Sequence, residues 1–339
     1  MGRPVRPSRP GRASADSEDL PNAGRRADYN PTIRHDRIAM SLGLLISVAI
    51  PAITFVLMAV VGSDLRVADF RRLLQRSRLV WAGLLVPPVV LPPLALGLIA
   101  LFAPPAPIAM GLLLIAACPV GGISNTFTYL AGATTTLSVL LTTLSCLMAV
   151  VTMPAVGAAL GWVRQETLVP AVPAPALFAH LLTAVALPTA LGLFARARWP
   201  AAVDRYRHLL RRVAFALLAL LILLVVLSDV VAFVRALPAA VPLAVSFIAA
   251  SFVVGAAVGA VLGAERPDLV ALAIEFATRN VAVATMAAVT VLGRVDFAIF
   301  GTAYFLTEVP LVTGAALLVR SLGQGRSTPR HGRVPRSGG

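Results

Sequence analysis

Glu275 and Arg279 stand four residues apart, with Asn280 beside them, inside PDLVALAIEFATRNVAVATMAAVTVLG, a stretch otherwise apolar and long enough to cross a bilayer. A charge at the centre of a spanning helix costs about 2.5–3.5 kcal/mol even on the lenient insertion scale, so residues of this kind mark ion sites, proton relays or substrate contacts. A second polar run, Ser124-Asn125-Thr126, follows Pro119 and Gly121–Gly122 in PIAMGLLLIAACPVGGISNTFTYLAGA, and Ser138 and Thr142 come shortly after it. Hydroxyl, amide carbonyl and carboxylate oxygens are the ligands a hard cation takes. Spacing of i, i+4 puts Ser138 and Thr142 on one helix face. Each residue also has a bland alternative. Glu275 and Arg279 could neutralise one another as an i, i+4 pair. Asn280, Ser138 and Thr142 could serve only as hydrogen-bonding contacts between membrane helices.

These residues need a membrane scaffold to hold them. The chain is 58% hydrophobic and only 13% charged, about half the charge of a soluble domain. Its apolar runs are long and continuous rather than alternating, which excludes a transmembrane barrel and leaves helices as the spanning elements. Hydropathy predicts about nine spans, roughly 38–61, 79–102, 107–131, 134–160, 175–195, 209–230, 239–263, 268–293 and 296–319. Residues 1–37 and 321–339 read as basic tails, the first of them disordered in composition and without a signal-peptide core. The net charge of +14 comes wholly from Arg, with no Lys. Much of it lies in tails and loops, so no nucleic-acid partner is implied.

Arginine alternates between loops. Arg66, Arg71, Arg72, Arg76 and Arg78 follow the first span, and Arg196, Arg198, Arg205, Arg207, Arg211 and Arg212 follow the fifth. The positive-inside rule puts these loops and the C-terminus in the cytoplasm of a cell with its protein in the inner (plasma) membrane. Nine spans then leave the N-terminus outside, against the eight Arg of residues 1–37. The third and eighth spans do not read as simple helices. Pro119 removes a backbone donor and Gly121–Gly122 weaken the helix beside it, while the eighth span carries its polar cluster near its middle. Interrupted spans in matching places of two halves point to a transporter whose binding site lies at the bilayer midplane. The halves would be a four-span repeat over 38–161 and an inverted five-span repeat over 175–320.

ACPVGGISNTFTYLAGATTTLSVLLTTLS followed by AIEFATRNVAVATMAAV resembles the bile acid:sodium symporter family, over roughly residues 40–320. The resemblance implies an all-α polytopic fold, an inverted repeat with two broken helices that cross. A core domain would pack on a panel made by the first, fifth and sixth spans. It implies a sodium site of Ser124, Asn125, Ser138, Thr142 and Glu275. It also implies that Asn280 lines the substrate cavity, and that Gly122 stands where the family has a substrate-side Thr. The family's second sodium site uses two Gln, and their positions are Pro87 and Arg279 here. Arginine has no acceptor and stays charged, so Arg279 reads as a tethered cation in place of the second sodium.

The implied activity is secondary active transport of a small organic anion by alternating access, coupled to sodium, with no other cofactor and no enzymatic chemistry. Proton-coupled or uncoupled transport, with Glu275 or Glu308 titrating, and a non-transporting membrane sensor remain open. Glu308, in FGTAYFLTEVPLV, could be a proton site, a partner for Arg279 or a packing residue beside Pro310. Cys118 and Cys146 lack metal-ligand spacing. Gly255, Gly259 and Gly263 recur every four residues and predict a close helix contact.

Overall fold

The structure is a computed structural model that describes residues 31–66, 77–163 and 174–324, with the side chains of 48–66, 78–160 and 174–322. The tail residues 1–30 and 325–339, and Arg71, Arg72 and Arg76 of the first Arg-rich loop, lie outside the described residues. Every element within them is helical. In chain order these are α1 (Pro31–Asp64), α2 (Ser77–Phe102), α3 (Ala106–Ala117), α4 (Ser124–Leu130), α5 (Thr135–Val163) and α6 (Ala174–Leu181). There follow α7 (Leu187–Arg198), α8 (Pro200–Ser228), α9 (Val230–Val261), α10 (Arg266–Ala277), α11 (Val281–Met286) and α12 (Val295–Gln324). Residues 31–41 are the opening turns of α1, and everything below concerns the packed body from residue 42 onward. Wider π-helical turns, Leu182–Ala186 and Ala287–Val291, join α6 to α7 and extend α11.

Six helical stretches are long and apolar enough to cross a membrane: Arg78–Phe102, Thr135–Leu160, Ala174–Arg198, Pro200–Ser228, Val230–Val261 and Val295–Leu322. The chain is a multi-pass membrane protein. Val48–Asp64, Ala106–Ala117 and Val281–Val291 are shorter apolar helices. Proline sits inside several of these helices, including Pro87, Pro88, Pro92 and Pro93 in α2 and Pro238 and Pro242 in α9, a usage that neighbouring helices make tolerable in a membrane.

Burial separates the helices. From Ile108 to Ala117 every residue of α3 is buried, as are Val270–Ala277 of α10 and all of α11. A helix apolar on all sides belongs in the interior, and these are the segments that flank the polar motifs. α8, by contrast, is exposed along most of its length, as a helix facing lipid would be. α9 packs along α10. A Cβ at Gly255 would lie 2.7 Å from the Leu272 carbonyl oxygen and 2.9 Å from Ala273 Cα, so only glycine permits that approach. Gly259 faces Leu269 in the same way, but Gly263 does not join them. It has φ +66° and ends the helix, the left-handed conformation that glycine adopts without strain at a helix terminus.

Candidate functional site

Both polar motifs sit where a helix stops and restarts. α3 ends at Cys118, whose φ −66° and ψ 154° are extended, as the residue before a proline is driven to be. The helix resumes only at Ser124. α10 ends at Thr278, with φ −103° and ψ 111°, and α11 begins after Asn280. No proline or glycine breaks this second helix. Asn280 accepts the Val283 N–H on its Oδ1 at 3.2 Å, an N-cap that satisfies one of the donors a new helix leaves free.

The two interruptions meet. Val120 and Arg279 form an antiparallel bridge, in which the Gly121 N–H donates to the Thr278 carbonyl at 3.3 Å and the Asn280 N–H donates to the Pro119 carbonyl at 2.9 Å. Backbone groups freed by each break thus satisfy the other. The remaining groups recruit side chains. Ser145 Oγ accepts the Val120 N–H at 3.1 Å, and the Tyr304 hydroxyl donates to the Ala277 carbonyl at 2.5 Å. Gly121 allows the approach, since a Cβ there would lie 2.8 Å from the Arg279 carbonyl oxygen.

Directly beside the crossing, Ser124, Asn125, Ser138, Thr142 and Glu275 come together, all buried. They arrive from the first turn of α4, one face of α5 and the last turn of α10. Ser138 Oγ lies 2.5 Å from Glu275 Oε1 and 2.9 Å from Asn125 Oδ1. Thr142 Oγ1 lies 3.1 Å from Glu275 Oε2, 3.5 Å from Asn125 Oδ1 and 3.0 Å from Ser124 Oγ. Each hydroxyl has a single proton, so it can donate to only one of these neighbours at a time. The cluster contains six side-chain oxygens, three from hydroxyls, one from Asn125 and two from Glu275, and only three hydroxyl protons to share among them. It is rich in acceptors and short of positive charge.

Arg279 does not supply that charge. Its Nε donates to the Ile115 carbonyl at 3.4 Å, which also takes the Cys118 N–H at 3.3 Å, and its Nη2 donates to the Cys118 carbonyl, both at the end of α3. Among the described residues no ion pair joins it to Glu275. The i, i+4 relation of a continuous helix no longer holds, because α10 has ended between the two residues.

A cleft opens onto the same crossing. Gly121, Gly122, Asn125, Thr126, Arg279 and Asn280 contribute its polar floor, with Leu57, Val61, Phe215, Leu218 and Phe305 as apolar walls. Asn280 Nδ2 is directed at poor acceptors, Met58 Sδ at 3.6 Å and Cys146 Sγ at 4.0 Å, so it can donate to a better one. Gly122 packs against Val61, whose Cγ2 would lie 2.9 Å from a Cβ there. Sequence reading missed Arg211, which lines the cleft and lies 3.9 Å from Asp64; its signal was hidden among the Arg-rich loop charges. Ser145 and Tyr304 were missed too, since nothing local marks a side chain that serves another helix's backbone. His180 bonds within its own helix, to the Ala176 carbonyl at 2.9 Å, and Cys118 and Cys146 are both free thiols.

The sodium bile acid symporter family model matches residues 50–236, more than half of the chain. That span includes Ser124, Asn125, Ser138 and Thr142 and stops before Glu275. An uncharacterized sodium-dependent transporter of Bacillus subtilis (strain 168), YocS, is 34% identical over 141 residues, 42% of this chain and 42% of its own length. A probable sodium/metabolite cotransporter of the rice chloroplast, BASS2 of Oryza sativa subsp. japonica, is 34% identical over 149 residues, 44% of this chain and 34% of its own. The chain thus spans less than half the length of either relative. Taken with the family match, the chain belongs to the sodium bile acid symporter family, a family of symporters and not of enzymes.

Proposed function

We propose that this protein is a sodium-coupled secondary transporter of a small organic anion, with one sodium site made by Ser124, Asn125, Ser138, Thr142 and Glu275. The observation that carries the reading is the excess of acceptor oxygens around a buried carboxylate. Six oxygens with three protons, closed off from lipid, are a ligand set that a hard monovalent cation completes. The matched names of the two relatives, one sodium-dependent and one a sodium/metabolite cotransporter, support the same ion.

The substrate site is the cleft that shares the crossing with this cluster. Asn125 belongs to both, as a cluster oxygen and as part of the cleft floor. A cation held by Asn125 Oδ1 would orient the amide and add positive charge where an anion enters. Arg211 stands at the cleft with a loose partner in Asp64 and can meet an anionic headgroup, while the apolar walls take the remainder of an amphipathic molecule. Asn280 and Gly122 complete the floor. Arg279 serves as a built-in cation at the crossing: its guanidinium takes backbone carbonyls at the first break, leaving the coupling to one mobile sodium.

The architecture that fits this role is a nine-span inverted repeat of four and five helices. The two interrupted spans belong to a core domain, and the first, fifth and sixth spans form a panel. Movement of core against panel exposes the cleft to each side in turn. The Arg-rich loops and the C-terminus lie on the cytoplasmic side of the plasma membrane. Reconstituted protein tested with radiolabelled organic anions, under an imposed sodium gradient and with choline in its place, decides the matter. Uptake driven by sodium with a Hill coefficient of about one is expected. Ligand binding without gradient-driven flux would make the protein a sensor, and a Hill coefficient of about two would remove the tethered-cation role of Arg279.

A further inference from the structure

Glu308 has no part in the site above. It lies on α12, is fully buried, and neither of its carboxylate oxygens makes a hydrogen bond. The groups that face it belong to the second break: the backbone N–H of Arg279 and the hydroxyl of Thr278. The Thr278 hydroxyl is itself buried without a partner, as is Arg279 Nη1. Among the described residues no ion pair reaches Glu308. An acid, a hydroxyl and one guanidinium nitrogen are therefore orphaned together behind the crossing.

A bare carboxylate in this setting would carry a desolvation cost of several kcal/mol, which the Arg279 N–H, the Thr278 hydroxyl and the Arg279 charge offset only in part. Something positive must accompany the acid. The Arg279 guanidinium is engaged with the Ile115 and Cys118 carbonyls. A sodium ion needs a shell of several oxygens, and the oxygen-bearing side chain that faces the carboxylate is the Thr278 hydroxyl alone among the described residues. A proton needs only one oxygen. Placed on Glu308, it converts one orphaned acceptor into a donor, for which the Thr278 hydroxyl oxygen is the waiting acceptor. The other carboxyl oxygen is left for the Arg279 N–H.

We propose that Glu308, with Thr278, is a proton-binding site of the transport core, separate from the sodium site. The titratable groups that face it are Arg279 from the break and Tyr304 from its own helix, one turn away. Of the other helices packed on α12, α3 and α11 carry no titratable residue, and Tyr129 of α4 and Arg235 of α9 are exposed. Asp204 to Arg212 lie in the first half of α8 and are exposed or only partly buried. On α10, Glu275 is turned to Ser138 and Thr142. Because Glu308 faces the backbone of the residue that bridges the two breaks, any rearrangement of the crossing changes the groups it meets. That is the condition for taking a proton on one side and releasing it on the other. The use of the proton in coupling rests on the transporter reading; its binding does not.

Infrared spectroscopy of the purified protein in H2O and D2O tests the proposal without any substrate. The wild type should show the carbonyl stretch of a protonated carboxylic acid, displaced in D2O, lost in Glu308→Gln and kept in Glu275→Gln. The band should diminish reversibly as the protein is taken to alkaline pH. Glu308→Asp, which keeps the acid, should retain a band at a changed frequency, and it serves if Glu308→Gln does not fold. A band that survives in Glu308→Gln, no band in the wild type at any pH, or a band unchanged across the whole range would each overturn the proposal. Thermal unfolding in sodium chloride against choline chloride, run on the same samples, reports the sodium site separately. Loss of the sodium effect with a titrating Glu308 band would sink the sodium reading alone.

Discussion

Glu275→Gln is the sharpest test of the oxygen cluster, because it changes charge and proton count while keeping size. In the wild type, a sodium ion at about 2.4 Å from the carboxylate gains about 7 kcal/mol at an effective dielectric constant of about 20. Desolvation of the ion offsets part of this. If about half is left, removing the charge lowers sodium affinity by two to three orders of magnitude. The amide has the opposite effect on the sodium-free protein. Its N–H groups can donate to Asn125 Oδ1 and the neighbouring hydroxyl oxygens, where the cluster has six oxygens and three protons. Sodium at a hundredfold excess over its dissociation constant adds about 2.7 kcal/mol to wild-type stability. At about 2 °C per kcal/mol for a large domain this is a rise of roughly 5 °C in melting temperature. In Glu275→Gln the rise should fall below about 1 °C, from a sodium-free baseline at or above that of the wild type. Dye-monitored unfolding in detergent, with sodium, potassium and choline chlorides at equal ionic strength, measures both. Equal stabilisation of the two proteins by sodium, or equal stabilisation of the wild type by potassium, refutes the reasoning.

Other changes separate the site from its supports. Ser138→Ala and Thr142→Ala each remove an oxygen that contacts Glu275 and should weaken sodium about tenfold in the same titration, with less than additive loss in the double variant, since both act on one carboxylate. Tyr304→Phe leaves the buried Ala277 carbonyl without its donor and should cost about 1–3 kcal/mol in thermal unfolding, with the sodium-induced rise unchanged. Gly121→Ala pushes a methyl group against the Arg279 carbonyl, 2.8 Å away, and should cost about 1–3 kcal/mol by separating the crossing. Gly97→Ala, in α2 with nothing within 4 Å of the added carbon, is the control and should hold or slightly raise the melting temperature, since alanine is the better helix former.

The first interruption could be read from Pro119 and the glycines after it, since both the missing donor and the extended Cys118 follow from covalent structure. The second could not be read that way. Nothing in AIEFATRNVAVA forbids a helix, and what flagged it was polarity. The break is held by tertiary pairing with the first break and by the Asn280 cap, neither of which is local. The same limit explains Arg279. Spacing predicts a partner one turn away on a continuous helix, but the helix stops at Ala277, and the guanidinium finds the carbonyls of another helix instead. The oxygen cluster was legible because its members belong to a family motif and Ser138 and Thr142 share one helix face. The side chains that serve the backbone of the crossing, Ser145 and Tyr304, were not, since a Ser or Tyr in an apolar helix carries no sign of which foreign carbonyl or amide it meets.

The crossing decides where mobile charge can go. Two helices broken inside a membrane expose backbone groups that would each cost several kcal/mol if left unpaired. Gly121, Thr278, Pro119 and Asn280 satisfy one another, and Ser145, Tyr304 and Arg279 take what remains on Val120, Ala277, Ile115 and Cys118. The Arg279 guanidinium is therefore held by fixed carbonyls, and among the described residues it forms no ion pair with either buried acid. Glu275 has hydroxyl and amide oxygens around it, as the proposed sodium site requires, and Glu308 faces the Thr278 hydroxyl and the Arg279 N–H, with the Arg279 charge nearby, as the proposed proton site requires. A chain that had tied Arg279 to either acid would have an inert ion pair and no need for an ion from solution. By directing the guanidinium to the end of α3, this chain leaves both carboxylates without an ion-pair partner among the described residues, which is what the proposed coupling of solution cations to the opening of the cleft requires.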